Sequence, residues 1–518
     1  MKKWIGKTYY FLPLLVFCAY YTLKAIAFPI HDFANYYFGG YFLTTGHFNA
    51  NIYFPHLFNI KISDLGYTNI FVSYAPNTPF LALLFSPLST FQLSTAKLLF
   101  NIVSTLLLIV SVSKLKTYYN LKKYTVLFLP LLFYIPFKNN LLFGQVYFLV
   151  FYLITEFWIA YNKNKLTKAA IFLSIAILFK VSPIFFIFIF IYKKQFKPIL
   201  ICAISCIALL LFTILFTGID VWVFWLMEVF SRASNGEIAG LFVDNYQSFY
   251  MFLKRLFIFD LLENTSPLFN APILFKTILI TVKAACFLVG FYFTKKHNNN
   301  LLSLIYWVLV SLFLSPYGST YSLIVLIFVS IYVIQLKVNI NYRLAFLVLL
   351  FVINNLPTHY FLNYEFPFSY LRFLFFIAFI ILFFFTTNYK IGKNKIIVLA
   401  PVLAIISILF LNEEKENKTI TMVENCPILM YDYTLKNNTL EYTYWNQNGE
   451  KKEAFPYDFT ITKNLKLLDN QIYYNKKQIT FSNTNKLNPV LIDDEKIIFL
   501  SDEQRGIGFY TLKEINIK

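Results

Sequence analysis

Apolar stretches recur from Tyr9 to Leu411, each too uniformly hydrophobic for a half-buried helix or strand. Many approach the roughly 20 residues that carry a helix across a hydrocarbon core about 30 Å thick. The pattern predicts an all-α polytopic membrane domain over residues 1–411. From Asn412 to Lys518 it changes to short alternating runs, such as Leu440-Glu-Tyr-Thr-Tyr-Trp445 and Lys496-Ile-Ile-Phe-Leu500, separated by Asn, Asp and Gly turns. That alternation predicts a small C-terminal β-rich domain, 412–518, outside the membrane. The first apolar run follows Met1-Lys-Lys-Trp and lacks a small-x-small cleavage site, so it reads as an uncleaved span.

The polar interruptions set a topology. Basic clusters punctuate the apolar runs, from Lys2/Lys3/Lys7 through Lys114/Lys116/Lys122/Lys123, Lys163/Lys165/Lys168 and Lys193/Lys194/Lys197 to Lys390/Lys393/Lys395. Short cytoplasmic loops retain Lys and Arg, which gives about 13 crossings, a cytoplasmic N-terminus and an extracytoplasmic tail. Under this assignment the acids before residue 412 fall on the outer side, with Glu156 the exception. Some crossings must be broken. Residues 167–192 are expected to form two short legs meeting near Lys180-Val-Ser-Pro183, and 76–113 must pass Pro87. Broken backbone is tolerated at membrane depth where protein or a water-filled cavity satisfies it, so such breaks suggest a site. The long outer loops, 29–75 and 218–271, include the amphipathic run Phe249-Tyr-Met-Phe-Leu-Lys-Arg-Leu-Phe257, suited to the interface or to an ordinary connection.

Composition agrees and removes one alternative. The chain is 58% hydrophobic and 14% charged, outside the range of ordinary soluble domains. Its formal charge of +19 could point to nucleic acid, but residues 1–411 hold 31 Lys+Arg against 10 Asp+Glu, while 412–518 hold 14 against 16. The excess belongs to the membrane part, so no nucleic-acid partner is expected. Five cysteines show no CxxC or Cys/His ligand spacing, and neither a metal site nor a cofactor is expected.

Several polar residues are hard to explain as packing. His31 and Asp32 end the first span, Gln145 follows Gly144, Lys180 precedes Pro183, and Asn245 leads to Lys254-Arg255 after Asp244. Ionisable groups at membrane depth are costly and make each a candidate. Singly they stay open to plainer readings. Asp32 stands where a helix cap would, Lys180 can snorkel, and Gln145 and Asn245 can satisfy local backbone. For His31, packing in an aromatic belt is the better single reading. Together, a carboxylate and cations on one face suit transfer from a lipid-phosphate sugar: the carboxylate takes a proton from the attacking hydroxyl, and a cation stabilises the departing phosphate.

In these features the chain resembles the GT-C superfamily and, within it, glycosyltransferase family 87, which includes polyprenol-phosphate-mannose-dependent α-mannosyltransferases. The resemblance spans about residues 10–335. It is carried by Asp32-Phe-Ala-Asn-Tyr-Tyr37, Gly46 and Ile52-Tyr53, by Tyr74-Ala-Pro-Asn-Thr-Pro79 with Ser86-Pro87, and by Gly144-Gln145, Leu178-Phe-Lys-Val-Ser-Pro183, Asn245-Tyr-Gln-Ser248 with Arg255, and Leu314-Ser-Pro316. Ala75 stands where the family often has proline, and Tyr246 is an extra residue between Asn245 and Gln247. The resemblance implies a GT-C-like fold, Asp32 as catalytic base, and Lys180 and Arg255 near the donor phosphate.

The expectation is therefore an integral membrane glycosyltransferase with catalytic Asp32 and substrate-binding Lys180, Arg255, Gln145, Asn245 and His31. Its expected partners are the bilayer, a polyprenyl-phosphate-linked hexose such as mannose, and a glycolipid, glycan or protein acceptor. The expected location is a bacterial inner membrane. The rival is a transporter or flippase of a lipid-linked sugar, which would be expected to show paired halves with corresponding broken helices; no such repeat is found.

Overall fold

The computed structural model describes residues 9–387 and 420–517, apart from 69, 239–241, 244, 261–262, 296–299, 337, 424–425, 428–429, 447–448, 469, 483 and 504–505. Asp244, the basic cluster Lys390/Lys393/Lys395 and the apolar run ending at Leu411 lie outside the described residues. Backbone contacts divide the chain into two units, formed by the described residues of Met1–His47, Asn77–Trp222 and Phe242–Ile408, and of Phe48–Pro76, Val223–Leu241 and Leu409–Lys518.

The first unit is helical. Among the described residues, Tyr9–Ala27, Leu93–Tyr118, Phe196–Thr217, Pro272–Lys295 and Phe368–Thr386 are long and apolar enough to cross a membrane, and the pair Tyr134–Phe143 and Tyr147–Asn162, bent by 119°, makes a sixth candidate. Shorter apolar helices such as Leu166–Phe179, Ser182–Tyr192 and Asn300–Leu314 have 10–17 residues and fall short of a full crossing. Among the described residues, full-length spans thus number five or six, and the shorter helices account for much of the remaining apolar sequence from which about 13 crossings are expected. Phe196–Thr217 turns most of its side chains outward, Phe196, Leu211 and Leu215 among them, as a lipid-facing helix does.

Two glycines allow the close approaches that build the interior. Gly144 ends Tyr134–Phe143 in the left-handed conformation at φ 68°, a helix C-terminus that glycine adopts without strain. A Cβ there would also lie 2.7 Å from Phe33 Cβ. At Gly40, in the helix Asp32–Thr44, a Cβ would come 2.6 Å from the backbone of Phe85, so the missing side chain lets this helix lie against Pro79–Phe85. The legs Leu166–Phe179 and Ser182–Phe186 meet at Lys180, which is extended at φ −148° and ψ 130°.

The second unit is β-rich. A five-stranded antiparallel sheet runs in the order Ile420–Met422, Thr511–Asn516, Lys496–Ser501, Lys486–Ile492 and Ile461–Asn464. A meander of Asp432–Lys436, Thr439–Asn446 and Gly449–Pro456 packs with it around Met430, Leu440, Ile498, Leu500 and Leu512. Two segments from the predicted outer loops join this unit. Arg232 forms a buried ion pair with Asp502 at 2.6 Å, and the His56 ring stacks on Tyr431 at 4.5 Å with an interplanar angle of 7°. The tail is therefore built together with pieces of residues 48–76 and 223–241 rather than on its own strands alone.

Candidate active site

Asp32 opens the helix Asp32–Thr44 immediately beyond the first span. Its carboxylate accepts a hydrogen bond from the Gln145 side-chain amide, and no side-chain capping bond is made at this helix start. Gln145 is 4% exposed and is delivered by the turn at Gly144 inside the bent pair, where its backbone N–H donates to the Asn140 carbonyl at 2.8 Å. Tyr36, one turn along from Asp32, donates its hydroxyl to Gln145 Oε1 at 2.9 Å. The amide oxygen is thereby occupied and its NH2 is directed at Asp32, so Gln145 fixes the carboxylate through a two-bond relay.

Lys180 comes from the broken leg. Its ammonium donates to Asn77 Oδ1 at 3.1 Å and stands 5.9 Å from the Tyr36 ring centre and 5.8 Å from that of Tyr147. Thr78 donates to the Leu178 carbonyl at 2.6 Å and so ties the segment bearing Asn77 to the leg bearing Lys180. The charge of Lys180 acts on Asp32, as do those of His31 and Lys97. Asp32 and Lys180 are each partly buried.

Lys97 did not stand out in the sequence. It lies in the first turns of Leu93–Tyr118, is 2% exposed, makes no hydrogen bond to protein through Nζ, and sits 5.7 Å from the centre of the Phe28 ring. Phe100, three residues on, packs against Phe33 at 5.6 Å, so this face of the helix covers the residues on either side of Asp32. A lone lysine at the end of an apolar run reads as a snorkelling group. The available signal was its register with Phe100 and the polar series Asn101, Ser104 and Ser111, all buried on one side of the same helix.

Tyr147, Tyr246 and Tyr321 stand within electrostatic reach of Asp32. Asn140 donates to the Tyr321 carbonyl at 3.0 Å, Asn139 donates to Thr320 Oγ1 at 2.6 Å, and Tyr246 meets Tyr317 edge to face at 5.1 Å. Ser248 donates to the Pro316 carbonyl at 2.8 Å while also capping Phe249–Phe257 by accepting from Met251 N–H. Gly318 admits the Gln247 backbone where a Cβ would meet it at 2.3 Å. The Asn245–Ser248 and Leu314–Gly318 segments are thus held together, with Tyr246, the extra residue noted in the sequence, packed on Tyr317.

The structure brings Asp32, Gln145 and Lys180 into one cluster, with His31 beside them, its ring 5.6 Å from Phe28 and 5.8 Å from Phe143. Arg255 is directed to its own loop: it donates to the Glu263 carbonyl at 3.0 Å and lies over Phe242 at 5.3 Å. Asn245 is exposed, and its carbonyl accepts from Gln247 N–H at 3.1 Å. Among the described residues, no three His, Cys, Asp or Glu side chains converge as metal ligands would.

Burial raises the Asp32 carboxyl above the usual carboxylate value, while the Gln145 hydrogen bond and the charges of Lys180, His31 and Lys97 pull it partly back. A carboxylate held this way is a stronger base than one in water, yet keeps partners that favour its ionised form. The cluster can therefore accept a proton at Asp32 and meet an anion at Lys180.

The model of Glycosyltransferase family 87 matches residues 75–316, a stretch that includes Lys97, Gln145, Lys180, Asn245 and Arg255 and begins after Asp32. No curated protein and no solved structure matches.

Proposed function

We propose that this chain, a membrane glycosyltransferase belonging to family 87, moves a hexose, mannose in the first instance, from a polyprenyl-phosphate donor to an extracytoplasmic glycolipid, glycan or protein. The observation that carries this reading is the Asp32 carboxylate fixed by Gln145 within electrostatic reach of the Lys180 ammonium.

Asp32 takes the proton of an acceptor hydroxyl as that oxygen attacks the anomeric carbon. The bond between that carbon and the phosphate oxygen breaks, and its electron pair leaves with the polyprenyl phosphate. Lys180 stabilises the negative charge that develops there. A single displacement of this kind inverts the anomeric centre. Gln145 keeps the basic oxygen aimed, and the buried charge of Lys97 opposes the tendency of burial to protonate Asp32. The tyrosine rings around Asp32 offer flat faces and hydroxyls to a sugar. The broken legs at Lys180 and Gly144 place these groups near the end of the spans, within reach of a donor whose lipid stays in the bilayer.

Donor class is the first thing to test. Purified full-length protein is incubated with a membrane lipid and glycan extract and either radiolabelled polyprenyl-phosphate mannose or the nucleotide-linked sugar. Label should pass from the lipid-linked donor alone. Transfer from the nucleotide sugar with none from the lipid donor would refute the reading.

A further inference from the structure

A second polar cluster lies at the opposite end of the helix that bears Lys97. Lys114 is near the end of Leu93–Tyr118, about 25 Å from Lys97 at roughly 1.5 Å per residue. There Glu156, 4% exposed, is held by Lys114 on one carboxylate oxygen and approached by Lys168 on the other at 3.7 Å. Lys114 also stands 5.8 Å from the Tyr152 ring centre, and Lys168 is 5.4 Å from that of Phe172. One buried carboxylate thus anchors two half-exposed ammonium groups from different helices.

These groups line a cavity of about 320 Å³ whose wall also includes Lys163 and Lys165. Four cations face one anion, so the cavity keeps a surplus of positive charge after Glu156 is paired. Its volume lies at the lower end of the roughly 300–1,000 Å³ typical of small-molecule sites. An adjoining hollow of about 420 Å³ shares Lys165 and Lys168 and continues over Ile171 and Phe172, apolar residues on the flank of Leu166–Phe179. Each ammonium has three donors, and Glu156 engages one face of two of them.

We propose that this cluster is a binding site for an anionic phospholipid of the surrounding leaflet. Its phosphate is held by Lys163, Lys165 and the remaining donors of Lys114 and Lys168, and one acyl chain lies along Ile171 and Phe172. Basic hollows between membrane helices recognise anionic headgroups in this way. The apolar strip selects a lipid over free phosphate. The site is independent of the transfer chemistry, which lies at the other end of Leu93–Tyr118.

The test is native mass spectrometry of the full-length protein in detergent, titrated with phosphatidylglycerol, phosphatidylcholine or inorganic phosphate. Phosphatidylglycerol should bind in preference to phosphatidylcholine and dissociate as ionic strength rises, and inorganic phosphate should not compete at equal concentration. The double variant K163Q/K165Q alters two exposed side chains and should weaken phosphatidylglycerol binding by roughly five-fold for each lysine removed. Equal retention of phosphatidylcholine, or salt-independent binding by the unaltered protein, would overturn the proposal whether or not the variant folds. Unchanged binding by a monodisperse variant would also overturn it, and full competition by inorganic phosphate would remove the lipid from it.

Discussion

Replacing Gln145 with leucine tests how its hydrogen bond sets the basicity of Asp32. The substitution keeps much of the side-chain volume and removes two hydrogen bonds, one to the Asp32 carboxylate and one from the Tyr36 hydroxyl at 2.9 Å. A hydrogen bond to a charged group is worth about 1.5–3 kcal/mol, which corresponds to about 1–2 pH units at 1.36 kcal/mol per unit. The lost bond favours the ionised carboxylate, so its removal raises the Asp32 value further above the ordinary range. With Asp32 as the proposed base, activity needs the deprotonated form, so the acid limb of the log(kcat/KM) profile should move to higher pH by that amount. The variant should be slow near neutrality and recover as pH rises. Loss of the acceptor for Tyr36 adds a stability cost of about 1 kcal/mol, visible as a lower melting temperature but unable to produce recovery at high pH. The assay is initial-rate transfer from labelled polyprenyl-phosphate mannose between pH 5 and 9, with the unaltered protein in parallel. An acid limb in the same place, with rates lowered equally at every pH, would refute the idea that Gln145 acts on Asp32.

Other outcomes follow from the same contacts. Lys97→Met should also shift the acid limb upward, and Lys97→Arg should restore it; identical profiles for all three proteins would deny Lys97 any effect on Asp32. Lys180→Ala should lower kcat/KM for the lipid-linked donor by about 10–100-fold, the weight of one charge-assisted hydrogen bond, whereas unchanged donor dependence would take Lys180 out of the phosphate contact. In the β-rich unit, Asp502→Asn removes the buried carboxylate that pairs with Arg232 at 2.6 Å and leaves it with the more exposed Glu228 at 3.6 Å. The loss should cost about 1–3 kcal/mol, read as a lower unfolding midpoint, and an unmoved midpoint would contradict the importance of that pair.

Much of the architecture left a local trace in the sequence. The first span, the two legs at Lys180, the helix Phe249–Phe257 and the β-rich tail each follow from short-range hydrophobic pattern and turn residues. Hydropathy marks a leg such as Leu166–Phe179 as clearly as a complete span, and length alone separates them. Contacts between distant segments left still less. Tyr36 meets Gln145 across 109 positions, and Lys180 meets Asn77 across 103. Nothing periodic links His56 to Tyr431 or Arg232 to Asp502, so the recruitment of outer-loop segments into the β-rich unit could not be read from the chain. The expectation that Arg255 lies near the donor comes from the family resemblance, and no local pattern foretells its hydrogen bond to the Glu263 carbonyl.

The most direct measurement compares the unaltered protein with Asp32→Asn for two quantities at once: binding of polyprenyl-phosphate mannose and transfer of its labelled sugar. The account predicts a folded variant that binds the donor with similar affinity and transfers at a rate lower by several orders of magnitude. Transfer by Asp32→Asn at the unaltered rate would contradict it.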